Sequence, residues 1–433
     1  MNKASEFERG KQASRRSGAP MPKVSIVIPT RERAEYLHYS IQTALAIDDA
    51  DIEILINDNF SQDHTREVVE AFDDPRLVYK NTGRRVSMRE NYNDAIANAT
   101  GDYLISFGDD DGIIPGQFPF LRKILEDYQP DGVSWIRGTY GWPEDASNKK
   151  LGGMRFRRDN LFGDAYRYDP KERNLQALLQ CRLNDIYPVT PNLYHGCVSR
   201  AYIDRIAPTE GVFLNSLIPD VNFEYRATIE GGDFVHVDHM FTVNGYAKKS
   251  TGGAHSGNAT DKTQVDPAKR FELENEADPY NDLFNHARFV PLAFLATLET
   301  VRERGGYADA KVDYHAWYKF NLQVAAKRKH PFESVKTILQ DYAKRTNTTQ
   351  ELDALLQDLP KLKRTPKEIW GRATEIVRSL RLDDVGDGTE NTIMTAVNTC
   401  DAVLGQSYGQ IQSGDLSETQ AWRAVKQRAG QQK

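Results

Sequence analysis

Three consecutive carboxylates are the residues of this chain whose type and spacing most clearly suggest chemistry. Asp109, Asp110 and Asp111, here called the acidic triplet, come directly after the apolar run 103–107. Adjacent carboxylates at the end of a buried strand repel one another, so a cation or solvent has to compensate their charge. A hard divalent ion such as Mg²⁺ or Mn²⁺ takes oxygen ligands and shares them with substrate phosphates. The alternative is a solvated acidic turn that caps the next helix.

Polar side chains also follow the first two apolar runs of the sequence. Pro29, Thr30 and Arg33 come after the run 24–28, where backbone amides and a guanidinium group at a helix start can meet a nucleotide. Asp58 follows the run 52–56, and its carboxylate can accept hydrogen bonds from a base or a ribose. The second loop therefore predicts a nucleotide contact.

The elements that must position these side chains alternate between two kinds. Short apolar, β-branched runs are separated by stretches with apolar residues at helical spacing, and this alternation predicts an α/β domain with a largely parallel sheet. The apolar runs are 24–28, 52–56, 77–79, 103–107 and 132–136. In such sheets ligands bind at the carboxyl ends of the strands, where the polar residues above are found.

The 433 residues suggest two or three domains at about 150 residues each. We expect a disordered leader over 1–21, an α/β catalytic domain over 22–265 with a nucleotide half (23–137) and an acceptor half (138–265), and a helical C-terminal domain over 266–433. The stretch 138–169 is rich in Gly, Asn and Arg with little periodicity, so it predicts a long functional loop.

Composition excludes several classes of protein. With 56 basic and 62 acidic residues the net charge is −6, so the charge balance shows no preference for nucleic acid. Three scattered cysteines make no disulfide framework, which favours the reducing cytoplasm. No apolar run approaches the roughly 20 residues that span a bilayer, so membrane association is expected to be peripheral at most.

The three strand ends together resemble the nucleotide-binding half of a family 2 glycosyltransferase. The matching segments are VSIVIPTRERAEYL, ILINDNFSQDHT and NYNDAIANATGDYLISFGDDD, in the family's order across 23–116, and the resemblance extends more weakly to about 257. It implies the GT-A fold, a Rossmann-like mixed α/β sheet. It also implies transfer of a sugar from a nucleotide diphosphate, expected to be a UDP-sugar, with inversion at the anomeric carbon.

The resemblance also implies roles for individual residues on the donor side. Pro29, Thr30 and Arg33 fall in the loop that lines the nucleotide, and Asp58 matches the aspartate that bonds the uracil ring. Asn91 matches the family's asparagine ahead of the acidic motif. Arg89 is close by, although the usual adjacent Arg-Asn pair is here split by Glu90.

For the Asp-x-Asp motif of the family, the resemblance implies that Asp109 and Asp110 contact the sugar or ribose and that Asp111 holds the metal. His255, in a Gly-rich segment after the last predicted strand, matches a second metal ligand on a loop that closes over the diphosphate. Lys248 and Lys249 nearby would touch phosphate. The alternatives are an exposed histidine and an ordinary solvated charge pair.

The remaining requirement is a base that takes the proton of the acceptor hydroxyl. Asp220 matches the family's catalytic aspartate at the start of a helix, with Pro219 where Glu is common. The alternative is that Asp220 only caps a helix over 221–229. Asp185 and Glu224 are the other candidates for the base.

The sequence thus predicts a metal-dependent inverting glycosyltransferase that uses Mn²⁺ or Mg²⁺ and acts on a glycan or lipid-linked glycan acceptor, with bacterial surface polysaccharide as the expected product. Homo-oligomer formation through the helical domain is a further hypothesis. One competing function is a nucleotidyltransferase that makes nucleotide sugars, although the loop after the first strand lacks glycine. The other is a catalytically silent, transferase-like interaction protein.

Overall fold

The computed structural model describes residues 21–143, 152–187, 189–207, 212–247, 273–280, 289–327, 332–357 and 379–432. The predicted leader and His255 therefore lie outside the described residues, as do Lys248 and Lys249. Among the described helices, none is both long enough and apolar enough to cross a bilayer.

The first of two sheets carries the five apolar runs predicted as strands. Its strands are β1 (Val24–Thr30), β2 (Ile52–Asp58), β3 (Leu77–Asn81), β4 (Tyr103–Ser106), β6 (Gly132–Trp135), β9 (Ala165–Tyr168), β10 (Gly196–Ser199) and β11 (Phe234–Val237). Their order across the sheet is β3-β2-β1-β4-β10-β6-β11-β9. β1 runs parallel to β2 and β4, whereas β10 is antiparallel to both β4 and β6. The sheet is therefore mixed.

A second sheet of order β13-β8-β7-β12-β5 packs beside the first. Its strands are β5 (Gly112–Ile113), β7 (Gly138–Gly141), β8 (Met154–Arg157), β12 (Thr242–Tyr246) and β13 (Ser379–Leu382). The prediction of a long loop over 138–169 was wrong, since β7, β8 and β9 lie within it. Each strand is only four residues long, which is too short for apolar alternation to stand out from the surrounding Gly and Arg.

Helices cover both faces of the first sheet and continue beyond it. In the α/β part they are α1 (Ala34–Leu45), α2 (Thr65–Glu70), α3 (Met88–Asn98), α4 (Phe118–Tyr128), α5 (Pro170–Leu179), α6 (Leu183–Ile186), α7 (Arg200–Ile206) and α8 (Pro219–Glu230). The later ones are α9 (Val290–Gly305), α10 (Tyr314–Lys327), α11 (Phe332–Arg345), α12 (Thr349–Gln357), α13 (Ile393–Leu404), α14 (Ser407–Gln412) and α15 (Glu418–Gln431). The predicted combination of a mixed α/β sheet with a helical C-terminal region is confirmed; the domain boundaries stay a prediction.

The C-terminal helices pack in two separate places. α9 to α12 form an apolar cluster with Val221, Tyr225 and Ile229 of α8. α13 to α15 instead join the cluster that includes β1, α1 and α4. The contact is close, because a Cβ atom at Gly112 of β5 would lie 2.9 Å from Val397 of α13. The last helices are therefore part of the core that supports the sheet.

This packing predicts that shortening an α13 side chain destabilises the α/β core. Leu404 is fully buried in the shared cluster, so Leu404→Ala should lower the free energy of unfolding by about 2–5 kcal/mol through lost burial and a cavity. Urea denaturation followed by near-ultraviolet circular dichroism measures the change. Leu273→Ala is the matched control, since Leu273 is 55% exposed and its loss should cost no more than about 0.5 kcal/mol. Equal effects of the two substitutions would contradict the shared core.

Candidate active site

The acidic triplet lies buried at the carboxyl ends of β1 and β4, with Arg33 as its cation. Thr30 Oγ1, at the end of β1, donates to Asp109 Oδ2 at 2.7 Å. Arg33 Nη1 lies 2.8 Å from Asp109 Oδ1, and Arg33 Nη2 lies 2.6 Å from Asp110 Oδ2. Because Asp109 and Asp110 are only 2% and 4% exposed, these ion pairs are shielded from water. Thr30 and Arg33 thus lie where the sequence predicts donor contacts.

Asp111 is held by backbone and side-chain donors rather than by Arg33. Its Oδ2 accepts hydrogen bonds from the Gly108 amide at 2.8 Å and from the Tyr194 hydroxyl, and His195 Nε2 lies 3.1 Å from the same oxygen. Its Oδ1 accepts one bond, from the Gly245 amide at 2.7 Å. A carboxylate oxygen has two lone pairs, so Oδ1 keeps one for a ligand.

The carboxylates of the triplet differ in proton affinity because their partners differ. Burial raises the pKa of Asp110 to about 7, although the Arg33 charge opposes this, and burial also raises the pKa of Asp109. Burial acts on Asp111 too, but the contacts with His195, Tyr194 and the Gly108 amide outweigh it and hold its pKa below the ordinary value. Asp111 is therefore the permanent anion of the triplet.

The charge of the triplet exceeds that of the cations in contact with it. Among the described residues, Arg33 contacts Asp109 and Asp110, and the raised pKa values of these two carboxyls indicate that their charged forms are only partly compensated. Oxygen ligands with excess negative charge are what Mg²⁺ and Mn²⁺ prefer. Within the same part of the chain, however, no group of three or more His, Cys, Asp or Glu side chains is arranged to hold a metal ion, so a cation at Asp111 stays a prediction.

Asp220 lies within electrostatic reach of the same buried groups as the triplet. It is the second residue of α8, whose N-cap is Ile218, so the alternative that Asp220 is the N-cap was wrong. Burial, followed by the charges of Asp220 and of all three triplet carboxylates, raises the pKa of Tyr92 far above its ordinary value. The Tyr92 hydroxyl is thus within electrostatic reach of both groups, and His195 is within reach of Asp111 and Asp220.

The other two candidates for the base have different surroundings. Asp185 forms a surface ion pair with Arg182, and its side chain is 56% exposed. Glu224 is only 4% exposed, and burial together with the charge of Asp220 raises its pKa to about 8. A group with that pKa holds its proton at neutral pH. Burial also raises the pKa of Asp220, but a backbone hydrogen bond at Val221 and the Arg137 charge oppose this, whereas Glu224 has the additional charge of Asp220 beside it; Asp220 is therefore the better acceptor of a proton.

Asp58 is buried, and described residues already saturate its carboxylate. Oδ1 accepts from the amide and the hydroxyl of Ser61 at 3.1 and 2.6 Å, and Oδ2 accepts from Tyr79 at 2.7 Å and Asn81 at 2.8 Å. A nucleobase would have to replace one of these donors. The contact of Asp58 with uracil stays a prediction, and Pro29, one residue before Thr30 in β1, stays a predicted contact as well.

Arg89 forms its contacts with Asp278 and Tyr280 and not with the triplet. Its Nε lies 3.0 and 2.9 Å from the two carboxylate oxygens of Asp278, and its guanidinium stacks over the Tyr280 ring at 4.6 Å. Asn91 instead packs behind β2, where its Oδ1 accepts a bond from Asn57 at 2.9 Å. Both residues therefore support the donor loops in this structure, and their direct contact with a donor stays a prediction.

Sequence reasoning missed Tyr194 and Asp278, and it interpreted His195 as structural only. The signal for Tyr194 and His195 is their place just before β10, because an antiparallel strand beside β4 brings its preceding loop to the end of β4. No local sequence pattern indicates the role of Asp278, because 191 residues separate it from Ser87, whose hydroxyl donates to its carboxylate.

Comparison with known proteins agrees with this geometry. Residues 25–176 match the family model "Glycosyl transferase family 2". This region, about a third of the chain, is therefore similar to that family. The matched region contains the acidic triplet and Arg33, while Asp220 follows it.

Two curated relatives match about a quarter of the chain each. One is GalNAc(5)-diNAcBac-PP-undecaprenol beta-1,3-glucosyltransferase of Campylobacter jejuni, 32% identical over 25% of this chain and 36% of that protein. The other is abequosyltransferase RfbV of Salmonella typhimurium, 29% identical over 24% of this chain and 32% of that protein. This chain therefore spans about a third of the length of each relative.

Two solved structures that match part of the fold contain a nucleotide sugar. S. aureus TarS 1–349 in complex with UDP-GlcNAc matches 74% of this chain and 92% of its own, at 15% identity and a TM-score of 0.42. The mannosyltransferase PcManGT from Pyrobaculum calidifontis, in complex with GDP-Man and Mn²⁺, matches 82% of this chain and 89% of its own, at 14% identity and a TM-score of 0.35.

The raised pKa of Asp110 predicts a pH-dependent gain in stability from Asp110→Asn. Because the folded-state pKa is about 7, the folded protein has to hold the charged carboxylate at a cost above pH 7, and this cost disappears as the pH falls to about 4. Asp110→Asn should therefore raise the free energy of unfolding by about 1 kcal/mol or more at pH 8 and by much less at pH 4. Urea denaturation at both pH values measures this. Asp127→Asn, which alters only an exposed ion pair with Lys123, is the control. A loss of stability at pH 8 would contradict the assignment.

Proposed function

We propose that the chain is an inverting glycosyltransferase that moves a sugar from a nucleotide diphosphate, with a UDP-sugar as the first choice, to a hydroxyl group of an acceptor. The observation that carries the proposal is that Asp220 and the acidic triplet lie within electrostatic reach of the same Tyr92 hydroxyl. The match to family 2 and the names of both relatives support the reaction class.

In the proposed reaction the acidic triplet and Asp220 have different tasks. The donor diphosphate lies on the side of the triplet, and the acceptor hydroxyl approaches from the side of Asp220. Asp220 takes the proton of that hydroxyl while the acceptor oxygen attacks the anomeric carbon and the bond to the departing phosphate breaks. The acceptor oxygen arrives opposite the leaving group, so the configuration at the anomeric carbon inverts.

A divalent cation, Mn²⁺ or Mg²⁺, belongs to this proposal as well. Bound by Asp111, with His255 as the further predicted ligand, it would offset the negative charge that grows on the departing diphosphate. On the protein's own side, Arg33 keeps Asp109 and Asp110 in place, and His195, Tyr194 and the Gly108 amide keep Asp111 ionised.

For the acceptor we propose a glycan or lipid-linked glycan of bacterial surface polysaccharide, because one relative is named for an undecaprenol-linked substrate and the other for abequose transfer. Cytoplasmic location with peripheral membrane contact, and homo-oligomer formation, are parts of the same proposal.

The assignment of the base predicts the order of three substitutions. In a panel of UDP-sugars and GDP-sugars with Mn²⁺, Asp220→Asn should lower the rate of nucleotide diphosphate release by about 10²–10⁴-fold, since the amide cannot accept the proton. Asp185→Asn should change the rate little, because Asp185 pairs with Arg182 at the surface. Glu224→Gln should cost far less than Asp220→Asn. The base is misassigned if Glu224→Gln is the more damaging change.

Dependence on a metal ion predicts a second pattern in the same assay. Wild-type protein should release nucleotide diphosphate with Mn²⁺ and lose this activity with EDTA, and Asp111→Ala should remove most of the dependence on Mn²⁺ because Oδ1 is lost. The control is Asp127→Ala, at the exposed end of α4. Equal release by wild type and Asp111→Ala, with and without EDTA, would reject a metal-dependent transferase.

A further inference from the structure

Asp111 is the end of a chain of buried polar groups that begins at an indole. Trp135 Nε1, at the end of β6, donates to Thr242 Oγ1 of β12 at 2.9 Å. The same oxygen lies 2.9 Å from His195 Nδ1, and His195 Nε2 lies 3.1 Å from Asp111 Oδ2. Trp135, Thr242 and His195 are at most 3% exposed, so these groups depend on one another for hydrogen bonds.

The chemistry at the two ends fixes the direction of this chain. An indole N–H can only donate, so it uses a lone pair of Thr242 Oγ1. An ionised carboxylate can only accept, so the His195 nitrogen facing Asp111 has to carry a hydrogen. In a neutral ring Nδ1 is then bare and accepts the Thr242 hydroxyl hydrogen. Protons thus point one way, from Trp135 through Thr242 and His195 to Asp111.

The backbone at His195 supports a role beyond packing. His195 has φ +54°, a left-handed conformation that costs energy for a residue with a side chain. Its amide donates to Ser106 O at 2.8 Å, which ties the residue to the end of β4 directly before the acidic loop. The strained conformation aims the ring between Phe107, on which it stacks, and Asp111.

We propose that Trp135, Thr242 and His195 form a one-way chain of polar contacts that positions Asp111: His195 Nε2 supports Oδ2, which accepts from the Gly108 amide and the Tyr194 hydroxyl, so that Oδ1 is the oxygen presented to the donor-side ligand. His195 is a positioning residue in this scheme, since it touches Asp111 and not the reacting atoms. Its Nε2 approaches Oδ2 off the line of a straight hydrogen bond in this structure. The proposal rests on the proposed function for the role of Asp111, while the chain itself can be tested without activity.

The direct test is the tautomer of His195 by nitrogen-15 NMR of histidine-labelled protein at neutral pH, with the signals assigned through their loss in His195→Gln. We expect a neutral ring with hydrogen on Nε2 and none on Nδ1. Thr242→Val should move the Nδ1 resonance toward that of an unbonded nitrogen. Hydrogen on Nδ1, or a doubly protonated ring, would overturn the proposal even if the protein is an active transferase.

Substitutions then test what the chain does. His195→Gln keeps an N–H near the position of Nε2 and should retain most of the nucleotide diphosphate release, whereas His195→Ala should lose roughly 10- to 100-fold, as for other groups that orient a ligand of a metal. His195→Asn separates function from folding, because asparagine tolerates the left-handed conformation but cannot reach Asp111. It should therefore be as inactive as His195→Ala yet more stable.

His236→Gln is the matched control, since this buried histidine also contacts a hydroxyl and a carboxylate, Ser134 and Asp238, but lies on β11 outside the cavity. It should leave the rate unchanged. If His195→Ala matches this control while wild type is active, the positioning role is wrong. If wild type releases no nucleotide diphosphate from any donor, the proposed function fails, and the NMR result still decides the direction of the chain.

Discussion

Excess buried negative charge at the carboxyl ends of β1 and β4 is the constraint on which the rest of the structure depends. Three carboxylates lie almost without solvent, a state that several contacts have to stabilise. Arg33 at the start of α1 pairs with two of them and compensates part of their charge, and the loop before β10 and the end of β12 supply donors for the third. Each of these elements is therefore fixed by the same charge.

The helix α8 connects this charged cavity to the C-terminal region. One side of α8 packs with α9 to α12 through Val221, Tyr225 and Ile229, and another side packs under the sheet through Phe223 and Ala227. Asp220 sits on its first turn, within electrostatic reach of Tyr92 and His195. The four helices that showed no chemistry in the sequence thus provide the rigid support for the proposed base.

Local sequence patterns predicted the nucleotide half well, because its strands are long apolar runs and its polar residues follow them directly. The pairing of Thr30 and Arg33 with the triplet follows from that order along the chain. The second sheet was beyond such reasoning, since its short strands are stabilised by tertiary pairing rather than by periodicity. For Arg89 the family's pattern predicted a donor contact, but the structure gives it a buried partner in Asp278, and no local signal indicates that long-range ion pair.

The pairing of β8 with β13 has a consequence for how this protein is made. Arg155 of β8 and Ser379 of β13 bond to each other although 224 residues separate them. At about 5–20 residues per second, a ribosome needs roughly 10–45 s to make the intervening chain. During that time β8, at the edge of the second sheet, is unpaired on the side of β13, and the face of β5 that α13 covers is exposed. We therefore expect the nascent chain to be prone to aggregation until β13 and α13 have been synthesised.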